Sequence, residues 1–498
     1  MNKEVLIIGG GIAGLSAGIY ARINGFNCTI IEKNKTAGGE CTGWDRRGYH
    51  IDGCIHWLVG TKEGTGINQL WKQVGALEGV EIYHPETFLS FEYQGTELPF
   101  YRDLDRLEHA WTALSPEDTP AIREFTGTVR TLQSFDIPAE KPMDLMGPIE
   151  KIKLLLSMKD AGMVMKRYGK IGLTEFARNF THPVIRSALA SFLPEGYSAS
   201  SLFFALAAFS KGQASIPMGG SRAFAQRMVD RYLNLGGVLH TGCEVTELER
   251  SGRQITGVVT DRGDRMTADY VIAACDAHLL FDRLLKGSVS DKAFQKRFAD
   301  PEGYPLASQI TIALGYSGSA EQMHRTTSIE TEDMQVGTRS IDRLTVTHYQ
   351  YEQDFAPPGC VVFTIAINQF HDDYEYWQQL GGNRNAYREE KQRIGQEVLS
   401  AMVRRYPEME GKLELLDVVT PLTFEHWCNA YRGAFMAFLP TVGAKPMEHT
   451  GRIKGLDNLL LSGQWLQPPG GLPVALLTGR DSIMRICRKE KQRFQSDI

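Results

Sequence analysis

The chain opens on an apolar run, Val5 to Ile8, that stops at three consecutive glycines. An unbroken apolar, β-branched stretch of this length predicts for residues 4–8 a strand buried on both faces, as in a parallel sheet. Gly9, Gly11 and Gly14 then lead into a segment that predicts a helix through Ala21. A second apolar run, residues 28–31, predicts a second strand that ends on Glu32. Later blocks repeat this grammar. An alternating segment ends at Asp52-Gly53, and residues 216–276 predict a helix, a strand, a hairpin and another strand. Residues 458–463 predict a last buried strand, followed by a Pro/Gly-rich loop and a helix starting at Pro473. Proline suits a first helical turn, where its missing N–H leaves nothing unpaired.

The spacing Gly9-x-Gly11-x-x-Gly14 has a physical reading at each position. Gly9 permits the tight turn, Gly11 lets a pyrophosphate approach the backbone, and Gly14 lets the helix pack closely on the strand. Phosphates would then meet free N–H groups and the positive end of the helix dipole. Glu32, eighteen residues beyond Gly14, is placed to accept hydrogen bonds from the ribose hydroxyls of an adenosine and to repel a 2′-phosphate. The pattern points to a dinucleotide site and leaves NAD and FAD both open.

With 498 residues the chain has room for two or three domains. Its net charge of −5 offers no basic surface for nucleic acid. Eight cysteines without a CxxC pair argue against a zinc site or a dithiol redox pair, and fit free thiols in the reducing cytoplasm. The glycines of the first twenty residues break what would otherwise resemble a leader peptide, and no stretch offers the roughly 18 apolar residues of a membrane span.

Two segments carry hydrophobic patterns of another kind. Residues 141–170 are rich in methionine and lysine. Ile149, Ile152, Leu155 or Leu156, and Met163 fall near one helical stripe, interspersed with Lys151, Lys153, Lys159, Lys166 and Arg167. Such a helix either lies on an anionic membrane surface or turns its stripe to the core. Residues 201–210, SLFFALAAFS, either line a hydrophobic tunnel or fill a core.

The segment after Glu32, with Gly38-Gly39, the charged stretch from Asp45 to Gly48 and the Asp52-Gly53 turn, resembles the cofactor-entry region of the amine-oxidase and phytoene-desaturase superfamily of flavoproteins. The blocks 216–276, with its P-x-GG turn, 354–367, with its APPG turn, and 458–480 resemble the same group, which includes carotenoid isomerases and retinol saturases. The resemblance implies an α/β fold, with a Rossmann-like FAD-binding domain formed by residues 1–60, 216–277 and 441–498. A substrate domain of α+β character would be interleaved at 61–215 and 278–440. It implies non-covalent FAD, held by Gly9, Gly11, Ile12, Ala13, Gly14, Glu32, Lys33, Gly38, Gly39, Glu40, Val245, Gly463, Gln464, Gly471, Leu472 and Val474. Val245 would meet adenine through its backbone, and the helix after Gly471 would face the flavin ring.

The implied activity is hydride exchange with flavin N5 on C–C or C=C bonds of a hydrophobic isoprenoid, polyene or lipid-like substrate. Rival expectations are an amine or amino-acid oxidase and a non-catalytic lipid or prenyl carrier on the same frame. Two positions depart from the group's pattern: Glu40 stands where an arginine is usual, and Gln464 where a carboxylate is usual. The resemblance places His56 and Trp57 near the flavin, and His348, Tyr349, His426, Trp427 and Tyr431 within reach of the cavity. None of these is assigned as catalytic acid or base.

Overall fold

The computed structural model describes residues 3–497. Glu4–Ile8 is the central strand of a five-stranded parallel sheet ordered Val238–His240, Asn27–Ile31, Glu4–Ile8, Tyr270–Ala273, Leu459–Leu461. Val5 lies beside Cys28 on one side and Tyr270 on the other. Alternate side chains of a strand face opposite ways. Val5 and Ile7 therefore join the core under the helices, while Leu6 and Ile8 join the core on the far face. Both faces being covered explains why the run shows no polar alternation.

The helical face is built by Ile12–Ile23, Gly220–Asn234 and Leu472–Lys489. The first helix runs two residues past the predicted Ala21 and stops at Asn24-Gly25, where Gly25 takes a φ of +78°. An antiparallel ribbon, Val245–Ser251, Gln254–Thr260 and Arg265–Thr267, covers the other face. First and last helices approach closely. Ser16 Oγ donates to the Leu476 carbonyl at 2.7 Å, and a Cβ on Gly479 would lie 2.8 Å from that of Ser16.

A second, seven-stranded sheet is ordered Leu413–Val419, Ser308–Tyr316, Val361–Gln369, Arg339–His348, Thr326–Val336, Thr87–Tyr93, Thr96–Tyr101. Its one parallel junction joins Thr327 to Ser90. One face packs on Trp377 and the helix Arg384–Arg405. The other receives the hairpin Gly43–Arg46/Tyr49–Asp52 through Tyr49 and Ile51. Arg47 and Gly48 both take positive φ at the hairpin turn, which matches the twist of the paired strands. A helical layer centred on Trp111, Phe125 and Phe203 completes the molecule.

Two patterned segments resolve differently from expectation. Residues 201–210 lie in the helix Ala199–Ser210, whose Leu202, Phe203, Leu206 and Phe209 are buried, so the block is core rather than tunnel wall along most of its length. The 141–170 segment is two helices, Pro148–Ser157 and Lys159–Tyr168, separated at Met158, rather than one. The second helix turns Ala161, Val164 and Tyr168 inward, not Met163. The first buries no residue at all, leaving Ile149, Ile152, Leu155 and Leu156 at 58–74% exposure. The core-facing alternative for this stripe is thereby overturned. No helix of the described residues is long and apolar enough to cross a membrane.

Candidate cofactor site

The loop between the first strand and first helix is a cradle closed to side chains at Gly9 and Gly14. Gly9 has a φ of +100°, and a Cβ there would lie 2.6 Å from the Ala274 carbonyl oxygen. Gly38 N–H donates to the Gly10 carbonyl at 2.9 Å, and a Cβ on Gly39 would lie 3.2 Å from Gly11 Cα. The Gly38-Gly39 turn thus lies directly on the glycine loop. Gly11 is the N-cap of the first helix with no side chain capping it, so the first-turn donors around Ile12, Ala13 and Gly14 await an acceptor.

Glu32 is buried at the adjacent strand end. Its Oε2 accepts from Gly10 N–H at 2.7 Å and its Oε1 from Asn34 N–H at 2.8 Å. Burial pushes its carboxyl above the ordinary range, and the two backbone N–H groups oppose the push. Each oxygen retains lone-pair capacity toward a ribose. Lys33 turns away from the loop: its Nζ donates to the His426 carbonyl at 2.7 Å and to Asn429 Oδ1 at 2.9 Å.

At the far end of the chain Gly463 N–H donates to Thr478 Oγ1 at 3.0 Å, and Thr478 in turn donates to the Val474 carbonyl at 2.8 Å. The last helix starts at Leu472. Its N-cap, Gly471, has a φ of +86° and no side-chain cap. A second open helix N-terminus therefore borders the first. The two departures from the expected pattern meet here. Gln464 Nε2 donates to Glu40 Oε2 at 3.4 Å, and Gln464 Oε1 accepts from Gly471 N–H at 3.2 Å. Enclosure, together with the charge of Asp276, pushes the half-buried Glu40 carboxyl up to about 8.

Asp276, which sequence reasoning did not select, receives N–H groups from His278 at 2.7 Å, Leu279 at 3.2 Å and Tyr431 at 3.0 Å. Burial still pushes it up to about 6. Its signal was available: an acid three positions past the end of a buried strand, comparable to Glu32, which directly follows Ile31. Trp427 Nε1 donates to the Gly39 carbonyl at 3.1 Å, and Tyr431 stacks on His278 with centroids 4.0 Å apart. Val245 is buried at the start of its ribbon strand, paired with Thr260.

His56 and Trp57 lie on the other side, toward the seven-stranded sheet. The His56 carbonyl accepts from Arg325 Nη2 at 3.1 Å, and Trp57 packs on Phe88. His348 and Tyr349 are buried nearby within that sheet. Of the histidines and aromatics named from the sequence, Trp427 thus contacts the glycine cradle and Tyr431 the Asp276 turn, while His56 and Trp57 contact the seven-stranded sheet side.

The residues present fit a dinucleotide: two helix N-termini without a side-chain cap, a buried carboxylate at the adjacent strand end, and a loop where Gly9 and Gly14 leave no room for a side chain. The family described as flavin containing amine oxidoreductase matches residues 12–486. A 4,4′-diaponeurosporene oxygenase of Staphylococcus haemolyticus is 22% identical, with 97% of each chain covered. A phytoene dehydrogenase of Streptomyces griseus is 23% identical, covering 97% of this chain and 95% of its own. Among solved structures, an oxidoreductase from Methanosarcina mazei superposes with a TM-score of 0.63 at 16% identity, covering 97% of this chain and all of its own. A putrescine oxidase bound to putrescine superposes with a TM-score of 0.59 at 13% identity, over 98% and 99% of the two chains. These two share the fold. FAD is the cofactor, and the protein is an FAD-dependent oxidoreductase. The chain belongs to the flavin-containing amine oxidoreductase family.

Proposed function

We propose that the protein exchanges a hydride between FAD and a carbon of an apolar isoprenoid or polyene substrate, acting on its C–C or C=C bonds. The carrying observation is the joining of the glycine cradle and its Glu32 to the open N-terminus of the last helix. Beside this frame runs an aromatic wall in which Trp57 packs on Phe88, and Phe88 on Phe192 and Phe209. The names of the carotenoid-acting relatives support the same substrate class.

In this reading, residues 1–60, 216–277 and 441–498 form the cofactor domain, with 61–215 and 278–440 serving the substrate. Gly9, Gly11, Ile12, Ala13 and Gly14 hold the phosphates, and Glu32 the adenosine ribose. Lys33 ties its strand end to His426 and Asn429 rather than to the phosphates, and Val245 meets the adenine through its backbone. Gly38, Gly39 and Glu40 line the middle of the cofactor, while Gly463, Gln464, Gly471, Leu472 and Val474 hold the ring. When bound, FAD supplies the hydride acceptor or donor. The N-terminus of the last helix favours negative charge on whatever it faces. Burial lowers the His56 imidazole below its ordinary range, and the aromatic wall gives the substrate side an apolar surface.

The first test is the visible spectrum of the purified protein with heat release of its chromophore. Near-stoichiometric free FAD is expected, and anaerobic addition of a polyene substrate should bleach or reoxidise the bands. A colourless protein that does not take up added FAD would remove this reading, and amine turnover with peroxide release would redirect it.

The substrate reaches the protein from a membrane in this proposal. The exposed stripe Ile149, Ile152, Leu155 and Leu156 lies in a segment, 141–170, with seven basic and three acidic residues in a chain that is acidic overall. Burial of such side chains yields about 1.5–3 kcal/mol each, and the lysines add attraction to anionic lipid. Co-sedimentation with phosphatidylglycerol-containing vesicles is therefore expected to fall at least about tenfold in the double variant Ile152→Asp, Leu155→Asp. Equal sedimentation of variant and wild type would show that the stripe is not the contact.

A further inference from the structure

Arg325 immediately precedes the strand Thr326–Val336 and is only 8% exposed. Its Nη2 donates to the His56 carbonyl, but Nε and Nη1 are buried with no hydrogen-bond partner among the described residues. Buried guanidinium groups are ordinarily paired, because the uncompensated charge is costly. The carboxylates in this neighbourhood are committed elsewhere. Asp52 accepts from Cys54 N–H at 3.1 Å and from the backbone and hydroxyl of Ser221. Glu352 accepts from Gly219 N–H at 2.8 Å.

Burial disfavours the charged form of the other titratable side chains around the guanidinium. Burial holds His56 below its ordinary range and His348 at about 4, and it raises the phenols of Tyr349 and Tyr351. Arg325 thus keeps free donors and no salt-bridge partner among the described residues, and the carbonyl it does bind belongs to His56, the neighbour of Trp57 on the Phe88 wall.

We propose that Arg325 is the binding residue for a carboxylate at the end of an otherwise apolar substrate, its free N–H groups meeting the carboxylate oxygens while the Trp57–Phe88 wall takes the chain. Charge-assisted hydrogen bonds of this kind are the strong ones, and arginine suits carboxylate geometry. The inference rests on the reading of this face as the substrate side of the flavoenzyme, and it narrows the substrate class to apolar acids.

The test uses the FAD-loaded protein and equilibrium dialysis against dodecanoate, below its micellar range, and against uncharged dodecanol. Wild type is expected to prefer the acid by about 10- to 100-fold. Arg325→Met is expected to abolish the preference without releasing FAD, and Arg325→Lys to retain part of it. Thermal melting supplies a second readout. Without ligand, Arg325→Met is expected to melt at or above the wild-type temperature, because an unpaired buried charge has been removed, and it should lose the rise that dodecanoate gives wild type. Equal binding of acid and alcohol by wild type, an unchanged preference in Arg325→Met, or a marked fall in its ligand-free melting temperature would each overturn the proposal. Retention of FAD in those cases would leave the oxidoreductase reading standing.

Discussion

Gly14→Ala is expected to yield protein that neither holds FAD nor survives purification as a folded species, although the change adds a single methyl group. A Cβ at this position would fall onto the Gly9 carbonyl oxygen and lie 3.3 Å from Ala274 Cβ. The obstacle on one side is backbone at the glycine turn, and on the other the end of a central strand, so neither yields by a rotamer change. Overpacking a core costs about 1–3 kcal/mol where side chains can adjust. A clash with fixed backbone exceeds that range and also displaces the helix whose N-terminus is proposed to hold the phosphates. The contrasting substitution is Gly127→Ala, in the helix Thr119–Leu132, where an added Cβ meets nothing within 4 Å. There the same methyl is expected to stabilise by about 0.5–1 kcal/mol, because a mid-helix glycine is costly in conformational entropy. Thermal melting and FAD content of both variants check the contrast. Loss of cofactor in both, or in neither, would mean that the cradle is not sterically closed.

FAD affinity is expected to fall about tenfold between about pH 6.5 and about pH 9, and Glu40→Gln to abolish most of that slope. Asp276 faces Glu40 as a like charge, Gln464 as a neutral amide, and Cys428 as a thiol that burial keeps protonated. With its carboxyl raised to about 8, Glu40 is uncharged at the lower pH and tolerates a neighbouring phosphate. As pH rises through that value it gains a negative charge and repels the cofactor. The sign is that of a raised acid: the favourable, neutral form is present below the folded-state value and lost above it. Quenching of FAD fluorescence on binding, titrated at both pH values, gives the dissociation constants. An identical slope in the glutamine variant would place the titrating group elsewhere.

Much of the frame could be read locally. The 4–8 strand, the glycine spacing and Glu32 lie within one strand–helix–strand unit, and each residue's task is set by its near neighbours. The Glu40–Gln464 contact could not be read in this way. Its partners are 424 positions apart and meet only because the strand Leu459–Leu461 is laid beside Tyr270–Ala273. Arg325 was invisible for a related reason: a lone arginine before a strand carries no signal until its burial and lack of a partner are known. The 141–170 stripe shows the opposite failure. Its periodicity was legible, but a period does not state whether the apolar side meets protein or solvent, and the break at Met158 left no mark in the pattern.

The close seating of the last helix on the first, through Ser16, Leu476 and Gly479, bears on how the protein is made. Synthesis runs from the N-terminus, so the glycine loop leaves the ribosome hundreds of residues before the helix that completes its surroundings. A nascent chain ending before Leu459 lacks the fifth strand of the sheet and the whole of that helix. If that helix serves the cofactor as proposed, capture is a late event in biosynthesis, and bound flavin reports that synthesis has passed Lys489.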